Sequence, residues 1–544
     1  MPTIRFLPAA LLLAGLFCTS AGAATFVVND DGDVPLDAVV NCNGGANPCT
    51  LRAAIQAVNA NPFTPHAIHF NFSGGPALIQ PGSALPAITR PVAIDGYALG
   101  AGNPNTLLAG DNASIAIRID GANIATPNAH GLHFFLGSSG SSVRGLAITR
   151  FDGNGIRVDG QNVANGVTDV TIAGNFIGTD GSNADGDETG GLANHGPGIY
   201  IWGEARNHTV GGGTPADRNL IVGSGATNPS SPAVYIRTAH HNLVQGNYIG
   251  TDRTGNSRRG TEAAVAIAGG LGSADHNTVQ GNVIGASGMG VQVAGNATDT
   301  AIQGNRIGVG TGDAPIAGSQ HGIFIISGTS TGPQATRIGG TSPGERNTIA
   351  HWSGNGIRVE HNNPAAPDMH RHSFLGNSIH TNNAPGIALA GTPASTVNSG
   401  QAAPAIQSAT GNAQGTVAAF SFTGAPNSTQ RIEVFANAAC TAQGRTYLGA
   451  VELATDASGN ASGSVNLPAL ADPANTYLTM TATRLFAGSG GETSQFSACM
   501  SVAGGPTGPA GPVPAAIPTL GHAGLALLSA VMAGLGVLRR RRQR

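Results

Sequence analysis

The densest run of metal-binding side chains in this sequence is acidic. Four carboxylates fall within the segment 180–188: Asp180, Asp185, Asp187 and Glu188. Carboxylate oxygens are the ligands that Ca²⁺ prefers, so these residues form a candidate calcium site. Their spacing is not that of a twelve-residue EF-hand loop, and the matching loop 251–259 has no acid after Asp252. Because the same corner is expected without those acids, we interpret calcium as dispensable for the turn itself.

Histidines offer a second candidate for metal chemistry. His370 and His372 flank one residue and would share a face of a strand. Histidines also recur at other turns, where His241 and His276 each precede an asparagine, so we favour a structural interpretation. No nucleophile elbow, P-loop or zinc-protease motif occurs in the sequence. The sequence therefore assigns no catalytic residue.

Five aromatic residues are candidates for contact with a sugar: Tyr200, Trp202, Tyr235, Tyr248 and Trp352. Tyr200 and Trp202 straddle Ile201, so if Ile201 points inward, both aromatic rings face outward. Aromatic platforms of this kind bind glycans, although aromatics that are buried or that cover an edge are commoner. Aromatic residues make up only 5% of the chain, which limits the number of such platforms.

A repeated phrase, Gly-Asn-x-Ile, indicates which elements must position these side chains. It occurs five times, with its asparagines at Asn175, Asn247, Asn282, Asn305 and Asn377. The spacings are 72, 35, 23 and 72 residues, mostly near multiples of about 24, a length typical of solenoid repeats. We expect these asparagines to stack at one corner, each amide bonding to the next, and we interpret them as structural.

Apolar residues between about 130 and 390 come in short bursts with a period of two, such as Val170/Ile172 and Val234/Ile236. Short strands separated by Gly- and Asn-rich turns, with a coil-length repeat, predict an all-β fold: a right-handed parallel β-helix over residues 131–400. A β-sandwich is the rival, but it gives no reason for the same turn to recur.

A helix is predicted near the N-terminus. Thr50 is a plausible N-cap, and Leu51, Ile55 and Val58 share one face. The segment from Cys49 to Asn59, preceded by an Asp-rich run and Cys42, resembles the CSLREA domain of bacterial surface β-helix proteins. The resemblance implies that residues 25–130 form a cap and the first coils. Sequence proximity in an exported chain pairs the cysteines as two disulfides, Cys42–Cys49 and Cys440–Cys499.

Residues 405–503 hold longer alternating runs, including 417–422 and 477–483, that predict an antiparallel β-sandwich. The segment resembles a domain that often follows such β-helices in surface proteins. A Pro/Gly linker over 504–516 comes next.

Both ends of the chain indicate export. Residues 1–24 have the pattern of a secretory signal peptide, which signal peptidase removes after Ala23 or Ala24. The run 520–538 is a transmembrane helix candidate followed by four arginines. With Ile517, Pro518, Thr519 and Leu520 before it, the tail 517–544 resembles the IPTL-CTERM sorting signals of Gram-negative bacteria. That resemblance implies removal by an exosortase-type enzyme, although Ala523 replaces the usual tryptophan.

Without these two ends, the chain holds 20 Arg against 29 acids, a net charge of −9, which disfavours nucleic acid as a partner. We therefore predict an exported protein of the cell envelope or outer surface, or a secreted one, with a structural, adhesive or glycan-binding role. Its expected partners are the two processing enzymes, the membrane through the tail, and extracellular polysaccharide. The alternative is a polysaccharide-active lyase or glycoside hydrolase, since β-helices host both.

Overall fold

The structure is a computed structural model of the whole chain. It describes residues 24–504 except 38–41, 43–46, 63–64, 183–190, 224–230, 271, 329–330, 364–365, 367, 392–396 and 488–489. The chain divides into two compact units, Met1–Ala503 and Gly504–Arg544. The expected signal peptide up to residue 23, the linker from 505 and the tail 517–544 lie outside the described residues.

Within the described residues, three parallel sheets of 11, 10 and 9 strands dominate the fold. The strands of the first sheet are Thr25–Val28, His66–Phe70, Val92–Asp95, Ser142–Arg144, Thr171–Ile172, Thr209–Gly211, Leu243–Gln245, Thr278–Gln280, Ala301–Gln303, Arg337–Gly339 and Ser373–Leu375. Those of the second sheet are Ala77–Ile79, Ile117–Asp120, Leu146–Thr149, Phe176–Ile177, Leu220–Ile221, Tyr248–Ile249, Val283–Ile284, Arg306–Ile307, Thr348–Ala350 and Ser378–His380. Those of the third sheet are Leu132–Phe134, Ile156–Asp159, Ile199–Trp202, Val234–Arg237, Ala263–Ala268, Met289–Ala294, Ile323–Ile326, Ile357–His361 and Ile387–Gly391.

The chain visits the three sheets in turn, so from Ser142 onward each coil adds one strand to each sheet. Neighbouring strands pair in parallel without slipping, and like residues therefore stack. The clearest stack is in the second sheet, where ten isoleucines lie in register: Ile79, Ile119, Ile148, Ile177, Ile221, Ile249, Ile284, Ile307, Ile349 and Ile379. All are buried, and each contributes about 2 kcal/mol by leaving water. The parallel β-helix predicted from the sequence is confirmed.

The repeated Gly-Asn phrase forms the corner between the first and second sheets. Its glycines all have positive φ, from 64° to 71°. That region of backbone conformation is open to glycine without strain, which explains the recurrence of glycine before each of the five asparagines.

The α-helix Leu51–Ala60 lies at the start of the chain, and the Thr50 side chain caps it by accepting from Ala53 N over 3.1 Å. Arg52 makes a two-pronged ion pair with Asp33, at 2.9 Å for both bonds. A disulfide joins Cys42 to Cys49, just ahead of the helix.

After residue 404 the strands pair in an antiparallel arrangement and form two sheets. One sheet contains Asn460–Leu467, Gly415–Thr423, Ala405–Asn412 and Ala503–Gly504. The other contains Thr446–Ala454, Thr429–Asn437, Tyr477–Leu485, Gly491–Thr493 and Met500–Ser501. Side chains from both sheets share one buried cluster that includes Phe420, Val434 and Met480. A second disulfide joins Cys440 to Cys499.

The smaller elements are two short strand pairs and several 3₁₀ turns. The pairs are Gly102–Asn103 with Ser114–Ile115, and Ala274–Asp275 with Ala297–Thr298. The turns are Ala98–Gly100, Gly121–Asn123, Pro215–Asp217, Pro343–Glu345, Asn398–Gly400 and Pro473–Asn475. Among the described residues, no helix has the length and apolar character needed to cross a bilayer.

Candidate functional site

The five asparagines of the repeated phrase belong to one continuous ladder of seven. In chain order its members are Asn175, Asn219, Asn247, Asn282, Asn305, Asn347 and Asn377. Each Nδ2 donates to the Oδ1 of the next member over 2.9 to 3.2 Å, and each also donates to backbone carbonyls inside the corner. The side chains are buried, so the ladder offers no ligand site and holds the coils together.

Of the candidate calcium ligands, Asp180 alone lies in the described part of the chain; Asp185, Asp187 and Glu188 fall outside it. Asp180 accepts from Ser182 N at 2.9 Å and pairs with Arg118 at 3.2 Å. Asp252, its counterpart two coils later, likewise accepts from Thr254 Oγ1 at 2.9 Å. Both carboxylates therefore stabilise the turns in which they lie by accepting local hydrogen bonds.

The candidate histidines do not form a metal site together. His372 is completely buried, and burial lowers its pKa to about 3. His370 lies outside the core beside Glu492, with Nδ1 and the carboxylate 3.4 Å apart. Across the residues that the structure describes, no three His, Cys, Asp or Glu side chains gather as a metal would require.

Tyr200 and Trp202 do share the outer face of the third sheet, while Ile201 between them is buried. The next strand brings Tyr235 into register with Tyr200, and their rings stack with centroids 5.2 Å apart and an interplanar angle of 27°. The preceding strand brings Arg157, whose guanidinium lies 5.5 Å from the Tyr200 ring and 5.4 Å from the Trp202 ring. We call these four half-buried side chains the aromatic face.

Arg157 is held in place by Asp159, which accepts from its Nε and one terminal nitrogen over 2.9 and 2.7 Å. Burial alone would raise the pKa of Asp159, but hydrogen bonds from His133 and Arg157 outweigh it and lower the pKa to about 2. The pair therefore stays ionised at neutral pH. It fixes the guanidinium against the two rings, and the aromatic face is rigid as a result.

A groove of about 500 Å³ adjoins the aromatic face at Tyr200 and Arg157. Two of the residues that line it contact each other: His195 Nδ1 lies 2.8 Å from Asp152 Oδ1, and both side chains are nearly half exposed. A hydrogen bond from Asn128 N, the largest influence, and the His195 contact lower the pKa of Asp152. The ionised carboxylate orients the imidazole, so the groove presents a carboxylate and a ring nitrogen side by side.

His130 also lines this groove. Its Nδ1 accepts from Asn154 N over 3.0 Å, so the proton of the neutral ring belongs on Nε2. Burial, helped by the nearby Arg157 charge, lowers the pKa of His130 to about 4. The ring is therefore neutral near pH 7.

A loop over the second sheet borders a larger cavity of about 580 Å³. Arg218 clasps this loop by donating to Leu107 O at 3.0 Å, to Leu108 O at 2.9 Å and to Gly110 O. Its guanidinium also lies 4.4 Å from the centre of the Tyr248 ring. Leu108 at the loop tip is 86% exposed.

The sequence predicted Tyr200 and Trp202 as neighbours and included Tyr235 among the aromatic candidates, but it missed the other residues of the site. Tyr235 occupies the same place in its burst as Tyr200, so aligning the repeats would have placed the two rings side by side. The remaining candidates, Tyr248 and Trp352, are buried. Asp152 and His195 are 43 residues apart and meet only because Gly153 and Gly196 lie in adjacent coils. No local motif reports that contact.

Three solved structures of viral proteins have a remote similarity to this chain. The full-length tailspike protein 2 of Escherichia coli O157:H7 bacteriophage CAB120 is 12% identical to this chain, with a TM-score of 0.23. The match covers 79% of this chain and spans 58% of that protein's length. The enzymatically active domain of bacteriophage CBA120 tailspike protein 2 is 11% identical (TM-score 0.24; 88% and 73% covered). ORF18 of Geobacillus virus E2 is 10% identical (TM-score 0.24; 86% and 78% covered).

These structural similarities are too weak to carry an argument. No curated protein matches the sequence. The family described as the IPTL-CTERM motif matches residues 515–542. That motif is a sorting tail, and it indicates an exported cell-surface protein that is processed by an exosortase-type enzyme.

Proposed function

We propose that this protein binds extracellular glycans at the surface of a Gram-negative cell, with the parallel β-helix acting as a rigid adhesive scaffold. The observation that carries the proposal is the aromatic face. It sets three outward aromatic rings and one guanidinium side by side on a flat parallel sheet.

Such a surface suits a sugar for a physical reason. The C–H faces of a pyranose are apolar and pack on aromatic rings, while its hydroxyls need polar partners at the rim. Here Tyr200 borders a polar groove that contains Asp152 and Asn154, so stacking and hydrogen bonding are offered to the same ligand. The rings are pre-ordered by Arg157, which reduces the entropy lost on binding.

The test is a glycan array probed with the protein purified after export. Tyr200→Ala combined with Trp202→Ala should abolish the signal of the wild type. Phe324→Ala is the matched control, because Phe324 is also half-buried and lies on the same outward row of the third sheet, in register with Gln292. An unchanged array after loss of Tyr200 and Trp202 would contradict the proposal.

The second candidate is an enzyme acting on polysaccharide. The specific observation in its favour is the His195 ring held at 2.8 Å by the Asp152 carboxylate, an arrangement that can make the other ring nitrogen a proton acceptor. Incubation with acidic and neutral polysaccharides, followed by assay of new reducing ends and unsaturated products, separates the two candidates. Turnover that is lost in His195→Asn would favour the enzyme.

Export completes the proposal. Signal peptidase would remove residues 1–24, the 520–538 segment would tether the chain in the membrane, and the sorting enzyme would act at Ile517–Leu520. We propose that the helix Leu51–Ala60 covers the first coil, as in CSLREA domains, and that the antiparallel sheets close the last one as a β-sandwich. Cell fractionation tests the proposed export: an uncleaved, purely cytoplasmic chain would overturn it.

A further inference from the structure

The corner that carries the groove is built twice. The first corner comprises residues 151–159 and 194–202, and the second comprises residues 352–360 and 382–390, further along the same sheet. In both, a histidine Nδ1 accepts a backbone N–H at 3.0 Å: Asn154 N to His130, and Asn355 N to His321.

Other hydrogen bonds of the two corners match one for one. An asparagine Oδ1 accepts from the backbone of a buried aromatic residue: Phe151 N to Asn194 at 3.0 Å, and Trp352 N to Asn382 at 3.1 Å. The residue after that asparagine donates back to the aromatic carbonyl: His195 N to Phe151 O at 2.8 Å, and Asn383 N to Trp352 O at 2.9 Å. The arginine ion pair is repeated as well, with Arg358 Nε 2.7 Å from Glu360.

The two corners differ in the side chains that face the groove. Where the first corner has Asp152, His195, Tyr200 and Trp202, the second has Ser353, Asn383, Ala388 and Ala390. Since the second corner keeps the same backbone bonds without these groups, the fold does not require an acid, an imidazole or an aromatic ring at these positions. Asp152 also accepts from Asn128 N at 2.6 Å, but that bond does not account for the imidazole or the aromatic rings of the first corner, which point to a ligand.

We propose that the first corner is a saccharide site in which the Asp152–His195 pair binds hydroxyl groups of a neutral hexose unit that packs on Tyr200. The inference rests on the glycan-binding function proposed above and adds the ligand class and the polar contacts. The Asp152 carboxylate can accept from one hydroxyl of a sugar ring, and His195 Nε2, the nitrogen not facing Asp152, can accept from the adjacent hydroxyl.

The charges of the groove favour a neutral sugar over an acidic one. Asp152 is ionised and faces the groove. Among the described residues that line the groove, the arginine is Arg157, and Asp159 neutralises it at 2.7 Å. His130 is uncharged near pH 7. Arg237 contacts the Tyr200 side chain but does not line the groove. A uronic acid in the groove would therefore meet the Asp152 carboxylate without an unpaired arginine, whereas a neutral hydroxyl can donate to that carboxylate.

The experiment converts the first corner into the second. Asp152→Ser with His195→Asn introduces the residues that the second corner already accommodates, so folding should be retained and is checked by the melting temperature. The exported protein is titrated calorimetrically with the best neutral glycan from the array and with hexagalacturonate as the acidic probe. We expect the double variant to bind the neutral glycan at least about tenfold more weakly, since charge-assisted hydrogen bonds are lost. The Phe324→Ala control should bind like the wild type.

The outcomes separate the two proposals. If the double variant binds as tightly as the wild type while the Tyr200/Trp202 variant does not, the polar pair has no role and the inference is overturned, but glycan binding by the aromatic face stands. Binding restricted to hexagalacturonate or to cationic amino sugars would overturn the neutral class. A wild type that binds no glycan would overturn the proposed function, and this inference with it.

Discussion

The side chain of Gln443 takes the place of the next asparagine above Asn382. Its Oε1 accepts from Asn382 N at 3.0 Å and from Asn382 Nδ2 at 3.2 Å, and its Nε2 donates to Asn382 O at 2.8 Å. The same relationship joins successive asparagines of the ladder at the corner between the first and second sheets. Through Gln443, the connection between Thr429–Asn437 and Thr446–Ala454 extends the hydrogen bonding of the last coil into the antiparallel region.

Replacing Gln443 with alanine should therefore destabilise the whole first unit. Three polar atoms of buried Asn382 would lose their partners, which costs about 3 kcal/mol. Urea unfolding followed by circular dichroism measures the change. Gln407→Ala, which removes one exposed bond to Ser421, should stay within about 0.5 kcal/mol of the wild type. Equal effects of both variants would show that Gln443 does not support the last coil.

Asn282 tests the ladder at its centre. Its Oδ1 accepts two bonds from Asn247, and its Nδ2 donates to Val244 O at 2.9 Å and to Asn305 Oδ1 at 3.0 Å. Asn282→Ala should cost about 3 kcal/mol or more, because all these partners are buried. Gln280→Ala, two residues earlier, is the control and should be nearly neutral in the same thermal melts. A neutral Asn282→Ala would show that the ladder contributes nothing to stability.

His208 should make the fold sensitive to acid. Burial lowers its pKa to about 4, against about 6.5 when unfolded. The unfolded chain therefore takes up the proton first, so stability is complete above pH 6.5 and falls as the pH drops toward 4. The loss attributable to His208 is about 2 kcal/mol at pH 5.

The matched variant is His208→Asn. His208 Nδ1 accepts from Val170 N at 2.9 Å, and Asn242 Oδ1 accepts from His208 N at 3.0 Å in the same way. An asparagine at 208 can thus keep the acceptor without titrating. Chemical denaturation at pH 7.5 and pH 5 should show a smaller drop for the variant than for the wild type. An identical drop in both proteins would exclude His208 as the source.

Arg218→Ala should loosen the loop over the second sheet. The guanidinium supplies three bonds to the loop carbonyls, and the loop tip is exposed at Leu108. Thermolysin should cut near Leu107 about tenfold faster or more in the variant, because local opening becomes easier. Arg144→Ala, which removes the surface pair with Asp95 at 3.1 Å and the contact with the Tyr97 ring but no bond to the loop carbonyls, should leave the cleavage rate unchanged. Equal cleavage rates for the wild type, Arg218→Ala and Arg144→Ala would show that Arg218 does not hold the loop in place.

The architecture could be predicted because repetition amplifies a weak local signal. One Gly-Asn phrase indicates only a turn, but five at related spacings indicate a stack, and period-two bursts such as Ile199/Ile201 indicate strands. The ladder positions Asn219 and Asn347 escaped notice because arginine precedes them instead of glycine. A 3₁₀ turn, Pro215–Asp217 or Pro343–Glu345, comes directly before each arginine, and φ is −59° at Arg218 and −71° at Arg346, so no glycine is needed there.

The candidate site was less predictable than the fold. Tyr200 and Trp202 follow from alternation along one strand, whereas Arg157, Tyr235 and the Asp152–His195 pair depend on register between coils whose loops differ in length. Loop length changes without disturbing the strands, so sequence separation does not reveal which side chains meet. The cap and β-sandwich roles of the flanking regions stay predictions.

The matched corners make the molecule a natural candidate for bivalency. Ser353→Asp, Asn383→His, Ala388→Tyr and Ala390→Trp would rebuild at the second corner the groups of the first, on hydrogen bonds that are already in place. Two equal sites on one rigid sheet face the same polymer chain. Simultaneous engagement raises avidity by roughly a hundredfold or more without improving either contact.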